Sequence, residues 1–348
     1  MENEFVRRRR WITHERFLDL LGAANLIPGP SSTELAVYIG YEEAGWRGLL
    51  VAGACFIVPA ALMVGVLAWA YVRFGTLPQL GGLLYGIKPV VLGVVVQALW
   101  SLAPKAVKKS GLLAGIGIAA CVASAVGVDP LVVLVGSGLA TAIGHRVSHG
   151  AWKNDSVLVL APVAAGATGA AAVAPVSLVM LGLTFLKIGA LVFGSGYVLL
   201  AFLRGELVNR LHWLSDGQLL DAVAVGQVTP GPVFTTATFI GYILGGARGA
   251  LVATMAIFLP GFAIVAITRP LIARIRGTAM AAFLDGVNLA SLSLMGVVVM
   301  QLARAALIDV PTVVIALVGA VLLIRWRVNS TWLVVGAALV GAVLRGAR

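Results

Sequence analysis

Charge is what this sequence has least of. Asp, Glu, Lys and Arg make up 11% of its 348 residues, against about a quarter in a soluble domain. A water-solvated surface therefore cannot cover most of the chain. Cysteine is nearly absent: Cys55 and Cys121 both fall in apolar runs, with neither disulfide nor zinc-site spacing. The four histidines, His14, His145, His149 and His212, lie in polar stretches between apolar runs and form no ligand cluster. No metal and no cofactor is expected. Nor does a nucleophile–base pair stand within the apolar runs, so the sequence argues against an enzyme. The N-terminus does not read as a signal peptide, because Asp19 and Pro28 interrupt what would be its apolar core.

Acidic residues are the scarcer sign: 14 against 25 basic ones, a formal net charge of +11. The cations sit in short loops, such as Arg7–Arg10, Lys105, Lys108 and Lys109, or Arg269, Arg274 and Arg276. Loop cations of this kind orient a membrane chain and meet anionic head groups, so no nucleic acid is expected. What fills the rest is hydrophobic, 60% of all residues. Long apolar runs cover residues 48–72, 81–103, 177–202, 249–267 and 279–302, and shorter ones cover 111–128, 131–143, 157–173, 313–324 and 332–343. A bilayer-crossing helix needs about 20 such residues. With two interrupted spans added, the expectation is an all-α, polytopic membrane protein of about twelve spans.

The interrupted spans carry a duplicated motif, NLIPGPSSTELAVYIGY from Asn25 and QVTPGPVFTTATFIGY from Gln227. Pro230 stands 202 residues after Pro28, and Glu4, Trp11 and Asp19 find Glu206, Trp213 and Asp221 at the same offset. Beyond the motif, Gly-Trp-Arg-Gly from Gly45 meets Gly-Ala-Arg-Gly from Gly246, and Pro59 meets Pro260. Lys88 aligns with Asn288, Gln97 falls near Gln301, and Asp285 has Tyr85 opposite it. The expected division is a first repeat over 1–128, connecting spans over 129–176 and a second repeat over 177–348. The second repeat has an apolar run ahead of Glu206 that the first lacks ahead of Glu4. The expectation is a missing leading helix, or a translation start upstream of Met1.

Loop charge reverses between the copies. The cation-rich loop is 104–110 in the first repeat but 269–277 in the second, while their counterparts, 73–80 and 304–309, carry little net charge. Positive loops stay cytoplasmic, and an odd number of spans separates 110 from 304, so the repeats are expected to be inverted. The same count places Arg7–Arg10 outside; re-entrant Pro-Gly-Pro segments would remove that conflict and the parity argument with it.

Pro-Gly-Pro ends one helix, and its second proline, Pro30 or Pro232, suits the first turn of the next. Gly29 and Gly231 stand at the breaks, after Pro28 and Pro230. Ser31, Ser32 and Thr33, and in the second copy Thr235 and Thr236, would then line a helix N-terminus with hydroxyl donors, free N–H groups and the positive dipole end. A small oxyanion suits such a place, and Asn25 and Gln227 would add amide donors. Two ionisable residues accompany only the first copy. Lys88 would attract the anion and Glu34 would take and release a proton; the alternative is an ion pair between them that holds helices together. Lys187 lies within the second repeat's leading run and could snorkel. Arg47 and Arg248, in matching positions, would anchor head groups or funnel substrate.

The segments PGPSSTELAVYIGYEEAGWRGLLVAGACFIVPA, VGQVTPGPVFTTATFIGYILGGARGALVATMAIFLPG and FLKIGALVFGSGYV resemble signature regions of the chromate ion transporter family. That resemblance implies export of chromate across the inner membrane of a bacterium or archaeon, by proton antiport, with sulfate as a competing analogue. In long members it also implies two halves of opposite orientation. The chain departs from the family in reading Phe193-Gly194-Ser195-Gly196 where Phe-Gly-Gly-Pro is usual. The partners implied are a chromate- or sulfate-like oxyanion, protons and the lipid bilayer, with a homodimer as the candidate assembly. The rivals are a sulfate or other oxyanion uptake system and a non-transporting membrane scaffold or regulatory subunit. Reporter fusions in loops 104–110 and 304–309 should land on opposite sides of the membrane; a same-side result would end the inversion reading.

Overall fold

A computed structural model describes residues 1–25, 29, 31–75, 78–107, 111–149, 176–192, 196–268, 278–326 and 328–346. The expected span at 157–173 lies outside them, as do Pro28 and Pro30. Among the described residues twelve α-helices run in order: α1 (His14–Asn25), α2 (Ser31–Phe74), α3 (Pro78–Val107), α4 (Gly111–Ala125), α5 (Pro130–His149), α6 (Leu178–Leu191), α7 (Leu199–Leu203), α8 (Asp216–Val228), α9 (Thr236–Thr268), α10 (Thr278–Ala306), α11 (Val310–Arg325) and α12 (Ser330–Gly346). His14, His145 and His149 belong to helix ends rather than loops. Four helical segments are long and apolar enough to cross a membrane: Ser31–Phe74, Gly81–Pro104, Val233–Ile267 and Ala281–Ala306. Five further apolar helices are shorter. The chain is thus a multi-pass helical membrane protein among its described residues.

Neither α2 nor α9 is one straight rod. Ala44 and Gly45 leave helical geometry in α2, and Gly245 and Gly246 do so in α9 with nearly the same angles. Gly45 has φ 57° and Gly246 φ 60°, left-handed values that glycine adopts without penalty. Each break reverses the chain into a tight hairpin. The carbonyl oxygen of Gly48 would lie 2.4 Å from a Cβ on Gly40, and that of Gly249 at the same distance from a Cβ on Gly241. In a continuous helix, residues eight apart would stand about 12 Å apart. Thr238 and Thr254, sixteen residues apart, bond through their hydroxyls at 2.7 Å across the second hairpin. Arg47 and Arg248 are exposed beside these two turns.

The upstream segments match in the same detail. π-Helical turns at Asn3–Arg8 and Arg204–Arg210 end in left-handed residues, Arg10 (φ 53°) and His212 (φ 51°). Each is followed by a tryptophan whose N–H returns to the turn, Trp11 to Phe5 O and Trp213 to Leu207 O. A hydroxyl then starts the next helix: Thr13 Oγ1 accepts from Arg16 N, and Ser215 Oγ accepts from Gln218 N. One expectation fails here. The continuous span at 177–202 is interrupted, because Val192 caps α6 with extended backbone and a 3₁₀ turn begins at Gly196.

The two halves exchange helices. α3 packs against α11 and α12, while α10 packs against α4 and α5. Small residues permit these contacts: a Cβ on Gly86 would meet Ala337 O at 1.9 Å, and one on Gly286 would meet Ser137 O at 2.5 Å. Those two contacts are related by a shift of 200 residues on both sides. α3 and α10 also pack on each other at the centre. The long arm of α2 instead leaves Leu50, Leu62, Val66 and Trp69 exposed, an apolar outer face suited to lipid.

Gly48→Ala would place a methyl 1.8 Å from the Gly40 carbonyl oxygen. It should destabilise the protein by about 1–3 kcal/mol, the usual cost of overpacking. Gly65→Ala, which would meet nothing within 4 Å, should leave the melting temperature unchanged in the same assay.

Candidate oxyanion site

Each Pro-Gly-Pro glycine rests on the other half of the protein. Gly29 has φ 136°, and its N–H donates to Val192 O at the end of α6 (2.7 Å). Gly231 has φ 150° and sits against Ala60, so a Cβ there would lie 2.4 Å from the alanine methyl. Ala60 follows Pro59, and its counterpart in α9 is Gly261, after Pro260. Gly261 shares a cavity with Gly29. The motif of each repeat thus faces the proline-bearing helix of the other. Gly196 lies against Val233 of the second motif. Val192 and Gly196 are four residue steps apart, so no more than about 14 Å separates the points at which the chain meets the two motifs.

The first cavity is lined by Gly29, Thr33 and Glu34 from the first half and by Gly189, Phe258 and Phe262 from the second. Glu34 is 2% exposed, with both carboxyl oxygens lacking a hydrogen-bond partner among the described residues. Its Oε1 would lie 2.1 Å from a Cβ on Gly29, so only glycine leaves room for it. Thr33 Oγ1 is likewise buried and unpartnered. Ser31 opens α2 half-buried, whereas Ser32 is exposed and turned away from the cavity walls. Asn25 closes α1, but its side chain lies outside the described residues.

A second cavity lies at the other motif, lined by Val95, Val223, Gln227, Val233 and Thr236 with residues of α7. Gln227 Nε2 is buried without an acceptor among the described residues. The hydroxyls of Thr235 and Thr236 donate to the carbonyls of Pro232 and Val233, at 2.9 and 2.8 Å. They are held by the 3₁₀ turn Val233–Thr235, which precedes α9 and was not legible in the sequence. Each cavity has room for about one water. Both are therefore too small for a tetrahedral oxyanion in this conformation.

Lys88 does not pair with Glu34. Its Nζ lies 3.2 Å from Asp221 Oδ1, and Tyr71 Oη donates to Asp221 Oδ2 at 3.0 Å. Asp221 is 3% exposed. Sequence reasoning aligned it with Asp19 and gave it no role, although a carboxylate in an apolar helix of a membrane protein is itself a signal. Tyr71 carried no comparable signal. Lys187 pairs with Glu206 (3.2 Å), which also meets Arg210. Arg204 binds Asp216 (2.8 Å) and Gln301. Tyr85 donates to Asp309 at 2.6 Å. Among the described residues, no group of three or more His, Cys, Asp or Glu side chains could hold a metal ion.

The sequence profile of the chromate transporter family matches residues 1–142 and 179–342. A chromate transport protein of Cupriavidus metallidurans is 34% identical, over 99% of this chain and 86% of its own length. One from Pseudomonas aeruginosa is 31% identical, over 98% of this chain and 86% of its own. An uncharacterised transporter of Methanocaldococcus jannaschii is 24% identical over 92% of this chain and 83% of its own. No solved structure matches. The chain belongs to the chromate transporter family.

The unpaired amide of Gln227 sets stability against function. Gln227→Leu removes a buried polar group with no partner, so it should leave stability unchanged or raise it by about 1–3 kcal/mol. The same variant should lose oxyanion binding, and a loss of both together would mean that the amide is structural.

Proposed function

We propose that the protein exports chromate, or a related tetrahedral oxyanion, across the cytoplasmic membrane in exchange for protons. The site lies between the two Pro-Gly-Pro elements, and the two halves, with the first running through α5, are inverted relative to each other. Membership of the family, with relatives named as chromate transport proteins, supports the substrate class. The recurrence of one backbone plan at a 200–202-residue shift supports the two-repeat organisation, and reversed loop charge supports the inversion.

The observation that carries the exchange is Glu34. An uncompensated carboxylate in an apolar cavity costs several kcal/mol, whereas the uncharged acid is tolerated far better. The side chain fills the space beside Gly29, at the N-terminus of α2. Deprotonation makes that place untenable, the side chain withdraws, and the vacated helix terminus can take an anion. Proton and anion then occupy one place in alternation, which is the condition for exchange. Substrate entry further requires the cavities to widen, through movement of one half against the other. Lys88, on α3 seven residues before Val95 of the second cavity, supplies a positive charge. Arg47 and Arg248, exposed at the hairpin turns, meet head groups or arriving anions.

Chromate and sulfate uptake into everted vesicles, with and without a proton gradient, tests this reading. Chromate should accumulate when the vesicle interior is acidic, and Glu34→Gln should flatten the pH dependence of the rate. Accumulation driven in the opposite direction would identify an uptake system instead, and an unchanged pH profile would remove Glu34 from the coupling.

A further inference from the structure

The pair formed by Lys88 and Asp221 has a geometry that a merely structural ion pair does not require. Lys88 comes from α3 in the first half of the chain and Asp221 from α8 in the second, so the contact joins two helices far apart in sequence. Both helices lead from the pair to the Gln227 cavity. Val95, in its wall, lies seven residues beyond Lys88 on the same face of α3, about 10 Å along the axis. Gln227 itself lies six residues beyond Asp221 on α8, about 9 Å along the axis. The cavity therefore offers a donor without an acceptor, two turns from a lysine whose positive charge is already matched by a carboxylate.

We propose that Asp221 is the internal counter-anion of the transport site: it holds Lys88 while the Gln227 cavity is empty and yields Lys88 to the oxyanion when the cavity fills. The inference rests on the oxyanion reading given above, with the Glu34 and Gln227 cavities taken as the two ends of one site that widens to admit the anion. A cation without a partner at membrane depth is costly, so a carrier that must return empty needs a substitute for its substrate's charge. A carboxylate is the natural substitute for an oxyanion. Lysine suits the exchange because its ammonium is a point charge on a flexible stem. Asp221 is equipped for release as well, since the Tyr71 hydroxyl remains bonded to it when Lys88 leaves. The ionisable groups acting on Asp221 are Lys88 from α3 and Tyr71 from α2. On its own helix Asp216 is occupied by Arg204, which is also bound to Gln301, so that arginine does not compete.

The test is equilibrium dialysis of the purified full chain against potassium chromate, and separately against sodium sulfate. It is joined to transport kinetics in proteoliposomes. Removing an internal competitor should tighten binding, so Asp221→Asn should lower the chromate Kd about tenfold. It should also lower KM and slow turnover, because the empty carrier can no longer neutralise Lys88. Lys88→Met should abolish binding with or without the Asp221 change. Tyr71→Phe should move Kd the other way, weakening binding a few-fold, because the released carboxylate loses its remaining partner. A structural ion pair predicts weaker or unchanged binding on losing Asp221, and that result overturns the inference. Should Asp221→Asn fail to fold, Tyr71→Phe decides, and an unchanged or lower Kd overturns it. If the wild-type chain binds neither chromate nor sulfate, the oxyanion reading itself falls and this inference falls with it.

Discussion

Backbone that leaves the helix at membrane depth must find partners inside the protein. Here the partner is the other half of the chain. The Gly29 N–H is satisfied by Val192, across the boundary between the halves, and Gly231 rests on Ala60. The same demand explains the exchange of helices, with α3 placed among α11 and α12 and α10 among α4 and α5. The second break is walled mostly by its own half, with Val95 and Ala60 as the contributions from the other. The close glycine contacts follow from the exchange of helices, since backbone can approach backbone only where no Cβ intervenes.

Similar backbone carrying different side chains accounts for the chemistry at the two breaks. The backbone plan recurs down to a π-helical turn, a left-handed residue and a reversing pair at each hairpin. The side chains differ where charge would be handled. Glu34 answers to Thr236, and Lys88 to Asn288. The first half therefore holds the buried acid and the lysine, while the second holds the amide of Gln227 and the carboxylate of Asp221. The paired cavities are alike in position and unlike in chemistry, an asymmetry that suits the exchange proposed above.

Expectations drawn from Asn25 to Glu34 and from Gln227 to Thr236 did not extend to the hydrogen bonds made there. Thr235 and Thr236 were read as free donors and instead bond to their own turn, because a 3₁₀ turn precedes α9. Lys88 was weighed against Glu34 as a partner and found Asp221, on a helix whose approach no periodicity reveals. The apolar run at 177–202 read as one span and breaks at Val192.

By itself the sequence determined the membrane class and the break that Pro230 and Pro232 impose before α9. Each of these depends on local composition: apolar length, charge scarcity and the conformational limits of proline and glycine. Only the tertiary structure decided which half supports which break, that α2 and α9 fold back on themselves, and which acid meets Lys88. Those outcomes depend on contacts between residues far apart in the chain. Glycine at position 40 records that something must come close, but not that Gly48 is what arrives.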